Sequence, residues 1–276
     1  MAQLLRSPIA LMLIAFICGA LQVFSFAPFS IWPLGFAGLV AFCWLLKDTA
    51  HKSALLRIYA FGFGLFLAGT HWIFVSIHEF GGASVLLAGA IVILFTAFLA
   101  LVFTLPFYIA LRFFSFSSLQ LLFLVPCIWF LGEWSRTWFL TGFPWLFSGY
   151  GYLSTPLSGY VPIIGVSGVS LLVMASAAIT AYILGARTPS KLRFGLLGIL
   201  GVIWLAGYGL TKINWTQLED KPIRVGMIQP NVDQSIKLNW NYEAIQQSLS
   251  QLREQSDGLW DKNDWIIWPE AAIPRA

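Results

Sequence analysis

Charge is what this sequence has least of. Asp, Glu, Lys and Arg make up 10% of its 276 residues, against roughly 25% in a soluble domain. That excludes a water-exposed surface for most of the chain. The deficit is spread over several apolar runs and comes with 58% hydrophobic residues and a mean hydropathy of +0.79, so the chain reads as a polytopic membrane protein. Cysteine is also scarce. Cys18, Cys43 and Cys127 all lie in apolar segments without metal-ligand spacing and read as small buried hydrophobes. There is no Walker A loop, no HExxH and no GxSxG nucleophile elbow. Gly165-Val166-Ser167-Gly168 approaches the last, but it sits in a span-like run and lacks the spacing. Neither metal, nucleotide nor other cofactor chemistry is indicated. The formal charge of +4 does not argue for nucleic acid, because most basic residues sit in short loops between apolar runs.

What is present is a series of seven apolar runs, at about 8–24, 31–46, 55–77, 84–111, 118–132, 161–185 and 193–211. A spanning helix needs roughly 20 residues, so the second run is short and the fourth is long enough to tilt. The first run lacks a small-x-small cleavage site and is expected to remain as a helix. Lys and Arg set the orientation. With the N-terminus inside, the inner side collects Arg6, then Lys47, Lys52 and Arg57, then Arg112, then Arg187, Lys191 and Arg193, while the outer loops before residue 212 hold only Arg136. An odd number of spans then delivers the chain from Lys212 onward to the non-cytoplasmic side.

Acids are as unevenly placed as the bases. Only Asp48, Glu79 and Glu133 precede residue 212, so the segment 212–276 is an aqueous tail of a different kind. Within it Ile223–Ile228 reads as a strand and Gln229-Pro230-Asn231 as a turn. Tyr242, Ile245, Leu249 and Leu252 recur at helical spacing and predict an amphipathic helix over about 240–255. Trp265–Trp268 is a short aromatic and β-branched strand that Pro269 must end, having no amide hydrogen for a ladder. Glu270 therefore falls on the loop past the strand's C-terminal edge, where α/β architectures place reactive groups; the plain alternative is a solvated loop carboxylate. Strand, turn, helix and strand make one βαβ-like opening, too short for a finished domain.

Two other stretches stand out. The loop Glu133–Tyr152 carries Trp134, Trp138, Phe139, Phe143, Trp145, Phe147, Tyr150 and Tyr152. Trp and Tyr favour the headgroup level, and Gly and Pro interrupt any spanning helix. Residues 133–160 therefore read either as an arm lying in the outer interface or as an aromatic belt anchoring its neighbours. His71 and the pair His78-Glu79 belong to or flank the third run. Intramembrane ionisable groups invite a functional reading, but adjacent residues on a helix point about 100° apart, which favours structural roles.

Taken in order, the seven runs, the arm Leu140-Thr141-Gly142-Phe143-Pro144-Trp145, the strand-turn Met227-Ile228-Gln229-Pro230-Asn231 and the strand end Ile267-Trp268-Pro269-Glu270 resemble bacterial apolipoprotein N-acyltransferase over the whole chain. The TGFPW arm and the WPE-x-A-x-P stretch are the specific parts. The resemblance implies an α-helical bundle of about seven spans (1–211) in the bacterial inner membrane. The start of a periplasmic, nitrilase-like α-β-β-α domain (212–276) would follow it. It also implies an acyl transfer from a phospholipid, through a Cys thioester, to the N-terminal amine of a diacylglyceryl-cysteine lipoprotein. In that family a Glu–Lys–Cys triad does the work. Glu270 matches its general base, and partial burial past a strand end would raise its pKa usefully. Trp240 matches a family tryptophan near the acyl site, Trp145 one in the membrane arm that should touch the acyl chains, and Arg136 an arm residue able either to pair with phosphate or to act as an interfacial anchor. The family's Lys and Cys match nothing in these 276 residues, so the chain as it stands is expected to be inactive, the N-terminal part of the enzyme. The competing readings are a polytopic transporter or channel and a non-catalytic module that binds lipoprotein or lipid.

Overall fold

The computed structural model describes residues 7–115, 117–185, 189–217, 221–233, 241–270 and 272–273. These fall into two compact units. One comprises residues 1–74 and 85–215; the other joins the loop Val75–Ser84 to Thr216–Ala276.

The first unit is helical. Its main elements are α1 (Pro8–Leu21), α2 (Trp32–Leu46), α3 (His51–Thr70), α4 (Val85–Leu111), α5 (Ser118–Ser135), α6 (Val161–Ile183) and α7 (Ser190–Leu210). Each matches one of the seven apolar runs. Five of the helical segments are long and apolar enough to cross a membrane, while Trp32–Leu46 and Leu119–Ser135 are shorter. Start signals are local. Ser7 accepts the Ala10 amide at 3.1 Å ahead of Pro8, and Ser117 with Gln120 forms a capping box before α5. The third run was expected to continue to residue 77. Instead α3 stops at Thr70, whose hydroxyl turns back to Phe66 O at 2.7 Å. A single turn at Ile73–Val75 and a π turn at Ser76–Phe80 follow.

α1 and α3 pack most closely. A Cβ at Gly19 would overlap Phe61 O, and one at Gly64 would overlap Phe16 O; small residues are what allow two backbones to approach this far in a bilayer. Between the helices lies an aromatic core of Phe42, Phe61, Phe66, Phe103, Phe107 and Trp129, with Phe42 and Phe61 at 4.3 Å between centroids. The outside is apolar as well, with Leu86, Phe123, Phe194 and Leu205 exposed. A water-soluble protein rarely presents such surface, whereas lipid accepts it, and the molecule is a multi-pass membrane protein. Arg57 closes the α2–α3 connection by donating to Leu45 O and Thr49 Oγ1.

The tail unit is built around a parallel pair, β1 (Val225–Met227) and β2 (Trp265–Ile267), in register Val225 to Trp265. The crossover between them contains α8 (Tyr242–Asp257), whose first turn Asn241 caps by accepting the Ala244 amide at 2.8 Å. The expected strand-turn-helix-strand order is present, with strands shorter than the apolar runs. The helix buries Ser248, Leu252 and Ser256, with Ile245 and Leu249 half-buried, whereas Tyr242 is exposed. Serines complete the stripe because Ser256 Oγ satisfies itself on Leu252 O at 2.6 Å and receives Trp268 Nε1 at 3.0 Å.

Candidate functional site: the aromatic arm and the strand end

The arm begins where α5 ends. Three short 3-10 turns, Phe139–Thr141, Ser148–Tyr152 and Pro156–Tyr160, carry it to α6. Between the first two the backbone is unusual: Leu140, Thr141, Gly142 and Leu146 all have positive φ. A left-handed non-glycine residue costs on the order of 1–3 kcal/mol and persists only where its surroundings over-determine it. Here they do. Phe143 N donates to Arg136 O at 2.6 Å, Arg136 Nη1 donates to Trp145 O at 3.2 Å, and Ser148 N donates to Glu133 Oε1 at 2.7 Å. Leu146 lies against Gly69 of α3, where a Cβ would overlap the leucine side chain. Gly149 N is held by Ser170 Oγ of α6 at 2.8 Å.

These ties leave Trp145 half-exposed, its ring 5.3 Å from Trp72 and 5.2 Å from Phe143. Phe143 in turn packs edge-on to Phe66 and Phe95. The result is an aromatic ledge, apolar but with indole N–H groups, a surface suited to lipid at headgroup depth. A cavity of about 190 Å³ lies under the arm, lined by Phe95, Phe98, Val102, Arg136 and Phe143 among others.

Arg136 was expected to be available to a phosphate. It is 3% exposed, and its guanidinium lies between the rings of Phe66 and Phe147, 5.2 and 4.9 Å from their centroids. Burial pulls it down to about 10, with Glu133 acting in the opposite sense, so it stays cationic at neutral pH. In this conformation it braces the arm from within. Two residues that the sequence did not single out complete the arrangement. Glu133 was legible as a rare acid in an apolar stretch, which is a signal in itself; Trp72 gave none.

In the tail unit, Glu270 follows β2 in a turn and is exposed. The partial burial expected of it is not seen among the described residues, where Trp268, Pro269 and a turn follow β2, with Ala272 N donating to Pro269 O at 3.2 Å. Asp264 just before β2 closes onto β1, its carboxylate accepting Arg224 N at 2.9 Å and lying 3.7 Å from Arg224 Nε. The backbone hydrogen bond, then the Arg224 charge, hold that carboxyl below the usual range. Trp240 lies outside the described residues. His71 and His78 each engage Nδ1 locally, with Ala68 O at 2.8 Å and Ala83 O at 2.7 Å.

With this geometry in view, residues 18–179 match the pattern described as the apolipoprotein N-acyltransferase N-terminal domain. The chain belongs to the apolipoprotein N-acyltransferase family. It is 38% identical over 266 residues to the apolipoprotein N-acyltransferase of Pseudomonas syringae pv. tomato, covering 95% of this chain and 52% of that protein. It is 36% identical over 271 residues to that of Coxiella burnetii, covering 95% and 53%. Against that of Vibrio vulnificus it is 37% identical over 276 residues, covering 98% and 51%. The chain thus spans about half the length of these relatives, and the arm lies inside the matched region.

Proposed function

We propose that this chain forms the membrane part of an enzyme that moves an acyl chain from a bilayer phospholipid to the N-terminal amine of a diacylglyceryl-cysteine lipoprotein. The observation that carries the reading is the family match over the bundle and arm. Its seven main helices would all cross the bacterial inner membrane, with the N-terminus cytoplasmic and the tail periplasmic. The tail would open a nitrilase-like domain, a role its parallel β-α-β order supports.

In this reading Trp145 contacts the acyl donor on the aromatic ledge, Trp240 lies near the acyl site, and Arg136 acts by holding Trp145. Glu270, on the loop past β2, serves as general base. It first removes the proton of a thiol that attacks the phospholipid ester and returns that proton to the leaving alkoxide, giving a thioester and a lysophospholipid. It then removes a proton from the acceptor ammonium, whose amine displaces the thiolate. The thiol and the lysine of the triad would come from polypeptide outside these 276 residues.

The test uses the protein purified from its own membranes, with phospholipid vesicles and a diacylglyceryl lipopeptide, read by mass spectrometry of the product. Its intact mass is recorded first, against the 30.7 kDa of this chain. Glu270→Gln is expected to abolish amide formation while the protein still inserts. Transfer by the variant at a near-normal rate would sink the assignment of the base, and no transfer by wild-type protein the reading as a whole.

A further inference from the structure

We propose that Glu133 is a positioning residue, the pin that fixes the arm so that Trp145 is presented over Trp72. Glu133 and Arg136 stand one turn apart at the end of α5, on one face of the helix. The returning segment 143–148 is tied to that single turn at three places: Phe143 N to Arg136 O, Arg136 Nη1 to Trp145 O, and Ser148 N to Glu133 Oε1. Only the last reaches the far end of the segment. It is also the most strongly built of the three. The carboxylate is 2% exposed, and the same oxygen accepts Trp129 Nε1 at 2.8 Å. Trp129 Nε1 lies 3.0 Å from Ser148 Oγ as well. Trp129 itself is locked into the aromatic core by Phe42, Phe61 and Phe103. A bond from a neutral N–H to a buried carboxylate is short and about twice as strong as a neutral pair, so the pin joins a rigid core to the mobile type of backbone found in loops.

The charges explain why an acid stands here. Arg136 is buried beside the arm, and the nearby carboxylate offsets its charge without making a direct ion pair. Glu133 Oε2 and Arg136 Nε are both buried and have no hydrogen-bond partner among the described residues. Glu133 therefore does two things from one place: Oε1 holds Ser148, and its charge keeps the guanidinium that holds Trp145. A purely apolar residue of the same volume could fill the space and do neither.

Two readouts separate positioning from mere packing. The first is hydrogen exchange of the protein in lipid nanodiscs. Glu133→Met, which keeps volume and removes the acceptor, is expected to speed exchange over 143–148 at least tenfold while α1 and α3 keep wild-type protection. Glu133→Gln retains an oxygen for Ser148 but loses the charge beside Arg136, and is expected between wild type and Glu133→Met. The second rests on the function proposed above: Glu133→Met should raise KM for the phospholipid donor severalfold with kcat little changed, and Glu133→Gln should restore it in part. Should Glu133→Met fail to insert, Trp129→Phe removes one donor to the same oxygen and is expected to loosen 143–148 alone. Unchanged exchange over 143–148, exchange raised evenly through the bundle, or a Gln variant as loose as Met would each overturn the proposal. Absence of acyl transfer by wild-type protein would overturn the functional reading, and the exchange result would still judge the pin.

Discussion

Replacing Arg136 by Met measures how much of the arm's order depends on one buried cation. The side chain is 3% exposed, donates to Trp145 O at 3.2 Å and sits between two rings at 5.2 and 4.9 Å. A hydrogen bond from a charged donor is worth about 1.5–3 kcal/mol, and a desolvated cation–π contact about 2 kcal/mol. Methionine returns part of this by packing and by sparing the cost of burying a charge. Against that, the change leaves the buried Glu133 carboxylate without the opposite charge near it, which adds to the cost. The expected loss is therefore about 3–5 kcal/mol, read by equilibrium unfolding of the bundle in mixed micelles. Arg136→Lys keeps the charge and gives up the flat contact with both rings, so it should lose less, about 1–3 kcal/mol. The decisive measurement is the pair Arg136→Met with Glu133→Gln. Removing both charges should be less damaging than the sum of the single changes, with a coupling of about 1–3 kcal/mol. A Met variant within about 1 kcal/mol of wild type, or a strictly additive pair, would refute the argument that charge compensation holds this arm.

Other substitutions probe the two units separately. Gly64→Ala drives a methyl into Phe16 O and should cost about 1–3 kcal/mol by parting α1 from α3, checked by the same micelle unfolding. Leu252→Ala empties a site that is 0% exposed and should cost about 2–5 kcal/mol. A tail of this size has little to spare, so proteolytic nicking within α8 should rise while the bundle stays resistant. Asp264 has its folded pKa lowered, so its contribution is full above the unfolded value of about 3.9 and fades as pH falls through the folded one. Amides at the β1–β2 junction should lose relative protection below about pH 4 in wild-type protein, and this acid-induced loss should disappear in Asp264→Asn.

The seven helices were legible because apolar length is a strong and redundant signal, and α8 because Ile245, Leu249 and Leu252 keep helical spacing. Errors fell where local chemistry overrode the run. Trp, Ile, Phe and Val continue past Thr70, but α3 does not, and the run goes on as a separate turn at Ile73–Val75 and a π turn at Ser76–Phe80 before Gly82 with its positive φ. The strands were shorter than their apolar runs because only three residues of each find a ladder partner. Glu270 was placed correctly in sequence, just past β2, but its exposure depends on what packs around a strand end, which no local pattern encodes.

The arm shows most clearly what composition hides. Its aromatics suggested either an interfacial arm or a belt anchoring its neighbours, and Trp145 is half-exposed. Yet the residue that looked most like a ligand group, Arg136, is spent inside. The reason is an energetic ordering. In an apolar setting three left-handed non-glycine residues, Leu140, Thr141 and Leu146, have to be held by something stronger than packing, and the strongest ties available are charge-assisted hydrogen bonds to backbone groups. An arginine and a glutamate one turn apart supply them in opposite senses, one donating to a carbonyl and the other accepting an amide. Sequence presents these two as isolated charges in an apolar stretch, and only Arg136 was read there as a phosphate partner or an interfacial anchor. The positive φ values at Leu140, Thr141 and Leu146 reveal strain in the segment that the pair is tied to, and restraining it is the role we propose for Glu133 with Arg136.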